Sequence, residues 1–431
     1  MQFQSTRDPK HTATLSEALA RGLAPDGGLY VPVVFPSLGS ADFEGATTLP
    51  AVAARLLAPF FAADPLAPEL EAIVAEALDF EVPLVALDSR EDVAVLELFH
   101  GPTAAFKDVG ARFLAACFAR LPRASRRPLT ILVATSGDTG GAVAAAFHGR
   151  PGIEVVVLYP KGLVSPRQEQ QLTCWGGNVR SLTVTGTFDD CQALVKSAFA
   201  DHELNGAREL TSANSINVGR LLPQASYYAY ASLLTWRRTG KPANFIVPSG
   251  NLGNVLAAVW ARRVGLPVGD LVLAFNVNRT VPDYLASGEW RPRPSIATLA
   301  SAMDVGNPSN MERLRHLHPE WHELARMVSS EVVTDAELSA RIRTDRARFA
   351  RTFCPHTAIA AEAYARLGDP RRAAGPWILV ATAHPAKFPE TVEPLVGATL
   401  EVPPALGRLL SLPRQAREIP PTLAALKEAL A

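Results

Sequence analysis

The sequence predicts an α/β protein built on parallel or mixed sheets, and two observations carry that expectation. Short apolar, β-branched runs recur at 93–96, 131–134, 155–159, 245–247, 271–275 and 377–380, and unbroken runs of this kind are strands buried on both faces. Amphipathic helical patterns lie between them. Residues 108–120 place Val109, Phe113 and Cys117 at four-residue spacing, and 187–200 opens with Thr187 and Asp190, a capping-box-like start. Alternation of the two patterns predicts parallel sheets covered by helices, with ligands at the carboxyl ends of strands.

The flanks read differently. Helical patterns at 15–19, 51–61 and 68–78, with an Asp26-Gly27-Gly28 turn, predict a mainly helical N-terminal domain over 1–82. The αβ core then spans 90–395. Beyond it the chain turns Pro-rich, at Pro403, Pro404, Pro413, Pro420 and Pro421, so 396–431 is expected to be a tail packed on the core and closed by a helix at 423–430.

Composition narrows the function. Lys plus Arg (42) equals Asp plus Glu (42), which excludes a strongly basic nucleic-acid binder, and 48% hydrophobic against 19% charged residues supports a sizeable core. No stretch reaches the roughly 18 apolar residues of a spanning helix, and the first eight residues lack the charged and apolar regions of a signal peptide, so a cytoplasmic protein without a membrane partner is expected. Four scattered cysteines, with no Cys-x-x-Cys, predict reduced thiols. His316, His318 and His322 are grouped, but Pro319 directly after His318 fits a helix start that leaves only His322 inside the helix, so no metal is expected.

Four segments carry chemistry. In Phe99-His100-Gly101-Pro102-Thr103-Ala104-Ala105-Phe106-Lys107-Asp108, a Gly/Pro loop delivers Lys107 between apolar neighbours at a helix start. Desolvation and the helix N-terminus both favour the neutral amine that condenses with an aldehyde, although a snorkelling lysine also fits this segment alone. Thr135-Ser136-Gly137-Asp138-Thr139-Gly140-Gly141 follows a strand and opens a helix, presenting backbone N–H groups suited to a carboxylate; it matches neither nucleotide-binding glycine motif. Ser249-Gly250-Asn251-Leu252-Gly253-Asn254 repeats the strand, glycine turn and helix, and could close amides around a phosphate. Thr211 to Arg220, rich in amides and hydroxyls and ending in arginine, suits a second phosphate through forked hydrogen bonds, or a solvated helix cap.

Taken together and in this order, these segments resemble the threonine synthases, pyridoxal-phosphate enzymes of fold type II, which implies a core of two αβ lobes with helices on both faces of their sheets. Further matches are Gly22-Leu23-Ala24-Pro25-Asp26-Gly27-Gly28-Leu29-Tyr30, Ser212-Ala213-Asn214-Ser215-Ile216-Asn217, Ala302-Met303-Asp304-Val305 and Thr382-Ala383-His384-Pro385-Ala386-Lys387, so the resemblance covers nearly the whole chain. It implies that Lys107 links to the cofactor and shuttles protons. It further implies that Gly250, Asn251, Leu252, Gly253 and Asn254 cradle the cofactor phosphate, Asp138 faces the ring hydroxyl and Thr382 meets the ring nitrogen. Thr135, Ser136 and Thr139 then match positions that hold the substrate carboxylate, and Asn214, Ser215 and Arg220 match those that hold its phosphate. Relatives in the wider fold carry Asn where this chain has Asp138.

The implied reaction converts O-phospho-L-homoserine and water into L-threonine and phosphate, by a monomer. A phospho-lyase or ammonia-lyase of the same fold is the nearest alternative, and a non-catalytic binder of a phosphorylated ligand is a more distant one. Retention of Lys107 argues against the binder, which has no use for a desolvated amine.

Overall fold

The computed structural model describes residues 1–87, 93–121, 127–135 and 137–431. Among these residues the strands form three sheets. The largest runs, in spatial order, through Val328–Val332, Val268–Phe275, Ala243–Pro248, Trp377–Ala381, Val93–Glu97 and Leu84–Ala86, with every pair parallel except the last. The second, parallel throughout, runs through Arg417–Ile419, Val179–Val184, Ile153–Pro160, Leu129–Ala134 and Glu209–Ser212. Each of the six apolar runs is a strand. Ala243–Pro248, Trp377–Ala381 and Val93–Glu97 are buried at every position, so they have no polar face to turn to water and require cover on both sides.

The expected helices form with small changes at their ends. Lys107–Arg120 begins one residue earlier than the apolar spacing indicates. Phe188–Ala200 is capped by Thr187: its backbone N–H donates to Asp190 Oδ2 at 2.7 Å and its hydroxyl accepts from the Asp190 N–H at 3.2 Å. Met311–Leu317 ends at His318 and Trp321–Met327 contains His322, and among the described residues no group of His, Cys, Asp and Glu is arranged to hold a metal. All four cysteines are buried thiols. No helix among the described residues is long and apolar enough to cross a membrane.

Both flanks hold more strand than the sequence patterns show. The N-terminal helices Leu15–Arg21, Leu49–Phe61 and Leu70–Ala77 are present, but an antiparallel sheet of Thr12–Thr14, Gln2–Ser5 and Tyr30–Pro32 accompanies them. Strands of three or four residues are too short to register as an alternation. This segment packs on the rest through one continuous apolar core; the Phe61 and Phe113 rings, for example, meet edge-on at 6.1 Å. In the tail, the helix Leu423–Leu430 is joined by Pro404–Leu410 and by the edge strand Arg417–Ile419. Leu426 and Leu430 are buried with Cys191 and Leu194, so the tail completes a sheet and a core as well as wrapping the surface.

This topology gathers the chemistry. Thr135 follows Leu129–Ala134, Ser249 follows Ala243–Pro248 and Thr382 follows Trp377–Ala381, which brings three loops from two sheets to a cleft at strand carboxyl ends.

Candidate active site

Residues from these loops line a cleft of about 660 Å³, solvent included: Lys107, Asp138, Ser215, Arg220, Gly250, Asn251, Leu252, Gly253, Asn254 and Thr382 among them. Lys107 projects from the first turn of its helix, its ammonium 4.8 Å from the centre of the Phe106 ring and its Nζ donating to Thr139 Oγ1 at 3.3 Å. Burial, the main cause, together with the nearby Arg220 and Lys387 cations, lowers its pKa from 10.5 to about 8, against the opposing pull of Asp138. A lysine so placed is a usable base and nucleophile near neutral pH.

The glycine turn closes one wall. A Cβ on Gly250 would stand 2.9 Å from Met303 Cα and 3.1 Å from the Ala302 carbonyl oxygen, so only glycine lets these backbones meet. Leu252 sits in the left-handed region at φ +62° and starts the helix Gly253–Arg263, whose first N–H groups therefore lie at the cleft. Asn251 braces the turn: its Oδ1 accepts from the Ser309 N–H at 2.5 Å and its Nδ2 donates to Ser215 Oγ at 2.7 Å. Asn254 Oδ1 accepts from Tyr227 at 2.5 Å and Tyr228 at 2.7 Å, and its buried Nδ2 has no partner among the described residues.

Arg220 also lines the cleft. It is 1% exposed, its guanidinium donates to the Ala213 carbonyl, and its Nε has no partner among the described residues. Burial lowers its pKa to about 10, with Asp108 acting in the other direction. The space it occupies depends on Gly110, where a Cβ would lie 2.6 Å from the Arg220 carbonyl oxygen. Ser215 Oγ accepts from Asn251 and from Asn310 Nδ2 at 3.3 Å, which leaves its own hydrogen to donate. Thr382 is 5% exposed, held by its backbone: its N–H donates to Thr357 Oγ1 at 3.3 Å and its carbonyl accepts from the Phe106 N–H at 2.8 Å.

Of the predicted residues, Thr135, Thr139 and Asn214 do not line the cleft, although Thr139 touches Lys107. Thr135 is not cleft-facing: its buried hydroxyl accepts from the Gly137 and Gly140 N–H groups, both at 3.0 Å, and so shapes the loop. Asn214 does not line the cleft either; its Nδ2 reaches toward the Ala134 carbonyl at 3.4 Å, and its buried Oδ1 has no partner among the described residues. Ser136 lies outside the described residues.

Lys387, Gln168 and His356 around Asp138, and Gln224 beside Arg220, are residues that the sequence patterns did not single out. Asp138 Oδ1 pairs with Lys387 Nζ at 2.8 Å and accepts from Gln168 Nε2 at 2.9 Å. Burial favours the neutral acid, but Lys387 and His356 outweigh it and lower the Asp138 pKa to about 2. His356 lines the cleft with its pKa pushed down to about 4 by burial, so it is neutral; its Nε2 accepts from the Ala302 N–H at 3.2 Å. Gln224 also lines the cleft and donates to the Arg220 carbonyl at 2.6 Å.

The sequence and fold match known proteins over their whole length. The family described as pyridoxal-phosphate dependent enzyme matches residues 81–382, the threonine synthase N terminus matches 2–78 and the threonine synthase C-terminal family matches 357–430. Threonine synthase from Escherichia coli is 39% identical, with 99% of each chain covered, and that from Haemophilus influenzae is 41% identical over 96% of this chain and 95% of its own. The crystal structure of pyridoxal-phosphate-bound threonine synthase from Brucella melitensis superposes with a TM-score of 0.90 at 34% identity, covering 100% of this chain and 98% of the other. The chain belongs to the threonine synthase family of pyridoxal-phosphate-dependent enzymes.

Proposed function

We propose that this cleft converts O-phospho-L-homoserine and water into L-threonine and phosphate, with Lys107 as the residue joined to the cofactor. The observation that carries the reading is a half-buried amine of lowered pKa in a cleft lined by two anion-binding groups, the Gly250 to Asn254 turn and Arg220. Two phosphates must be accommodated, one on the cofactor and one on the substrate, and the donor sets differ accordingly. The turn fits the cofactor phosphate, because Gly250 admits no side chain, the Gly253–Arg263 helix opens there and Asn254 Nδ2 is unpaired among the described residues. Arg220, with its unpartnered Nε, and the Ser215 hydroxyl fit the substrate phosphate. Asn214 precedes Ser215 in the chain but does not line the cleft.

Pyridoxal phosphate, when bound, supplies the electron sink that lets protons leave the carbons beside the substrate nitrogen. The protein handles those protons. Lys107 Nζ, changing its charge near pH 8 and oriented by Thr139, takes and returns them. The Asp138 and Thr139 N–H groups, which open the helix Asp138–Phe147 and are not taken by the Thr135 hydroxyl, hold the substrate carboxylate together with the Thr139 hydroxyl, with Ser136 beside them in the chain. Thr382 offers the ring nitrogen a neutral hydroxyl, and Asp138 a carboxylate toward the ring hydroxyl. After phosphate leaves, Arg220 and Ser215 retain it where it directs water to the β-carbon. We also take the chain to be a cytoplasmic monomer; its equal counts of basic and acidic residues, 42 each, support the reading that no polyanion is its partner.

Product stoichiometry tests the reaction. Purified protein given pyridoxal phosphate and O-phospho-L-homoserine is expected to release threonine and phosphate in equal amounts, whereas phosphate with ammonia and a keto acid would make it a phospho-lyase. Arg220→Ala is expected to lower kcat/KM roughly 10- to 100-fold, the scale of a lost charged hydrogen bond, with cofactor content unchanged. Loss of cofactor instead would show that the two phosphate walls have been exchanged.

A further inference from the structure

Lys387 is a second lysine, buried behind the cleft-lining Asp138, and the reaction as derived leaves it without a task. It comes from the short helix Pro385–Lys387 after the strand Trp377–Ala381 of the larger sheet, and it is 0% exposed. Its ammonium has two partners. One is Asp138 Oδ1, at 2.8 Å, on the first turn of the helix that follows the second sheet's strand Leu129–Ala134. The other is the Thr103 carbonyl, at 2.7 Å, on the loop that delivers Lys107. Thr103 is itself fixed, its N–H and hydroxyl donating to Asp108 at 2.9 and 2.7 Å and its carbonyl also accepting from Gln171 Nε2 at 3.1 Å. A single buried charge therefore ties three cleft-forming segments from two lobes.

We propose that Lys387 is a positioning residue: by pairing with Asp138 and holding the Thr103 carbonyl it couples the lobes at the cleft and fixes how Asp138 presents its carboxylate to the cofactor. Oδ1 takes both the Lys387 and the Gln168 bonds, so Oδ2 is the oxygen without a donor among the described residues. That leaves one acceptor, ionised and rigid, on a cleft-lining residue. Lys387 also balances charge. Lys107 faces Asp138, Arg220 and Lys387, Asp108 lies against Arg220 and Lys387, and His356 is buried and neutral beside them. With the Lys387 charge removed, Arg220 alone of these two cations still opposes the protonated form of Lys107, so a protonated nitrogen on Lys107 becomes more favourable. Nothing in this network needs Lys387 to touch substrate.

This inference rests on the cofactor placement proposed above, and the visible absorption of the cofactor-loaded protein, titrated with pH, tests the two separately. Lys387→Gln keeps a hydrogen-bonding side chain and removes the charge; the midpoint of the wild-type titration is expected to move up by about one pH unit, with the pH profile of kcat moving in the same direction. Lys387→Arg is expected to restore the wild-type midpoint. Where Lys387→Gln does not fold, Lys387→Met removes the same charge and carries the same expectation. Midpoints unchanged in the neutral variants, with turnover reduced only in step with melting temperature, would reduce Lys387 to a structural brace and overturn the proposal. A wild-type protein with no cofactor band would overturn the cofactor placement itself, and this inference with it.

Discussion

Lys107 illustrates how a functional residue is held against its own solution chemistry. Between about pH 8 and 10.5 the folded chain binds fewer protons at this site than the unfolded chain, so the lysine weakens folding at neutral pH and weakens it less as pH rises through that window. Lys107→Met keeps the apolar stem. It is expected to abolish turnover while raising the stability of the cofactor-free protein by about 1–2 kcal/mol at pH 7, a gain that shrinks toward pH 10, as chemical denaturation at several pH values would show. Asp138 has the opposite sign: its lowered pKa contributes stability that is present above the ordinary carboxylate value of 3.8 and is lost as pH falls through about 2. Lys107 was legible because its apolar neighbours and helix start are local. Lys387 and His356 were not, because what makes them part of the cleft is contact with Asp138 and Ala302, at sequence separations no local pattern spans.

At the scale of elements, the glycine turns decide what can bind. Gly250→Ala would drive a methyl into Met303 and Ala302, and the wall cannot yield cheaply because the nearest atoms are backbone. Its expected effect is an increase of about tenfold or more in the cofactor Kd, measured by absorption titration, with the melting temperature of the cofactor-free protein changed far less. The strand, turn and helix order around Gly250 and around Gly137 could be read from sequence, since buried strands and glycines are local signals. Which hydroxyl in such a turn faces the ligand could not: Thr135 satisfies the N–H groups of its own loop while Thr139 reaches Lys107. The strands Gln2–Ser5 and Arg417–Ile419 were hidden for a related reason, being short and defined by the partner strand more than by their own pattern.

The whole molecule behaves as lobes tied together by their flanks. Removing residues 417–431 would strip Ile419, Leu426 and Leu430, each 2% exposed or less, from the core that contains Cys191 and Leu194. At about 1.5–3 kcal/mol per buried aliphatic side chain, the truncated protein is expected to lose roughly 4.5–9 kcal/mol, seen as a lowered denaturation midpoint. Parallel sheets covered by helices followed from alternating strand and helix and the two lobes from the family resemblance, whereas the way the lobes meet depends on side chains such as Lys387, Asp138 and Arg167, whose guanidinium donates to the Ala386 carbonyl across the same boundary. The account turns on which of the two lysines near Asp138 carries the cofactor. Borohydride reduction of the loaded protein, followed by peptide mass mapping, decides it: the account predicts the cofactor mass on the peptide containing Lys107, and the same mass on the peptide containing Lys387 would contradict it.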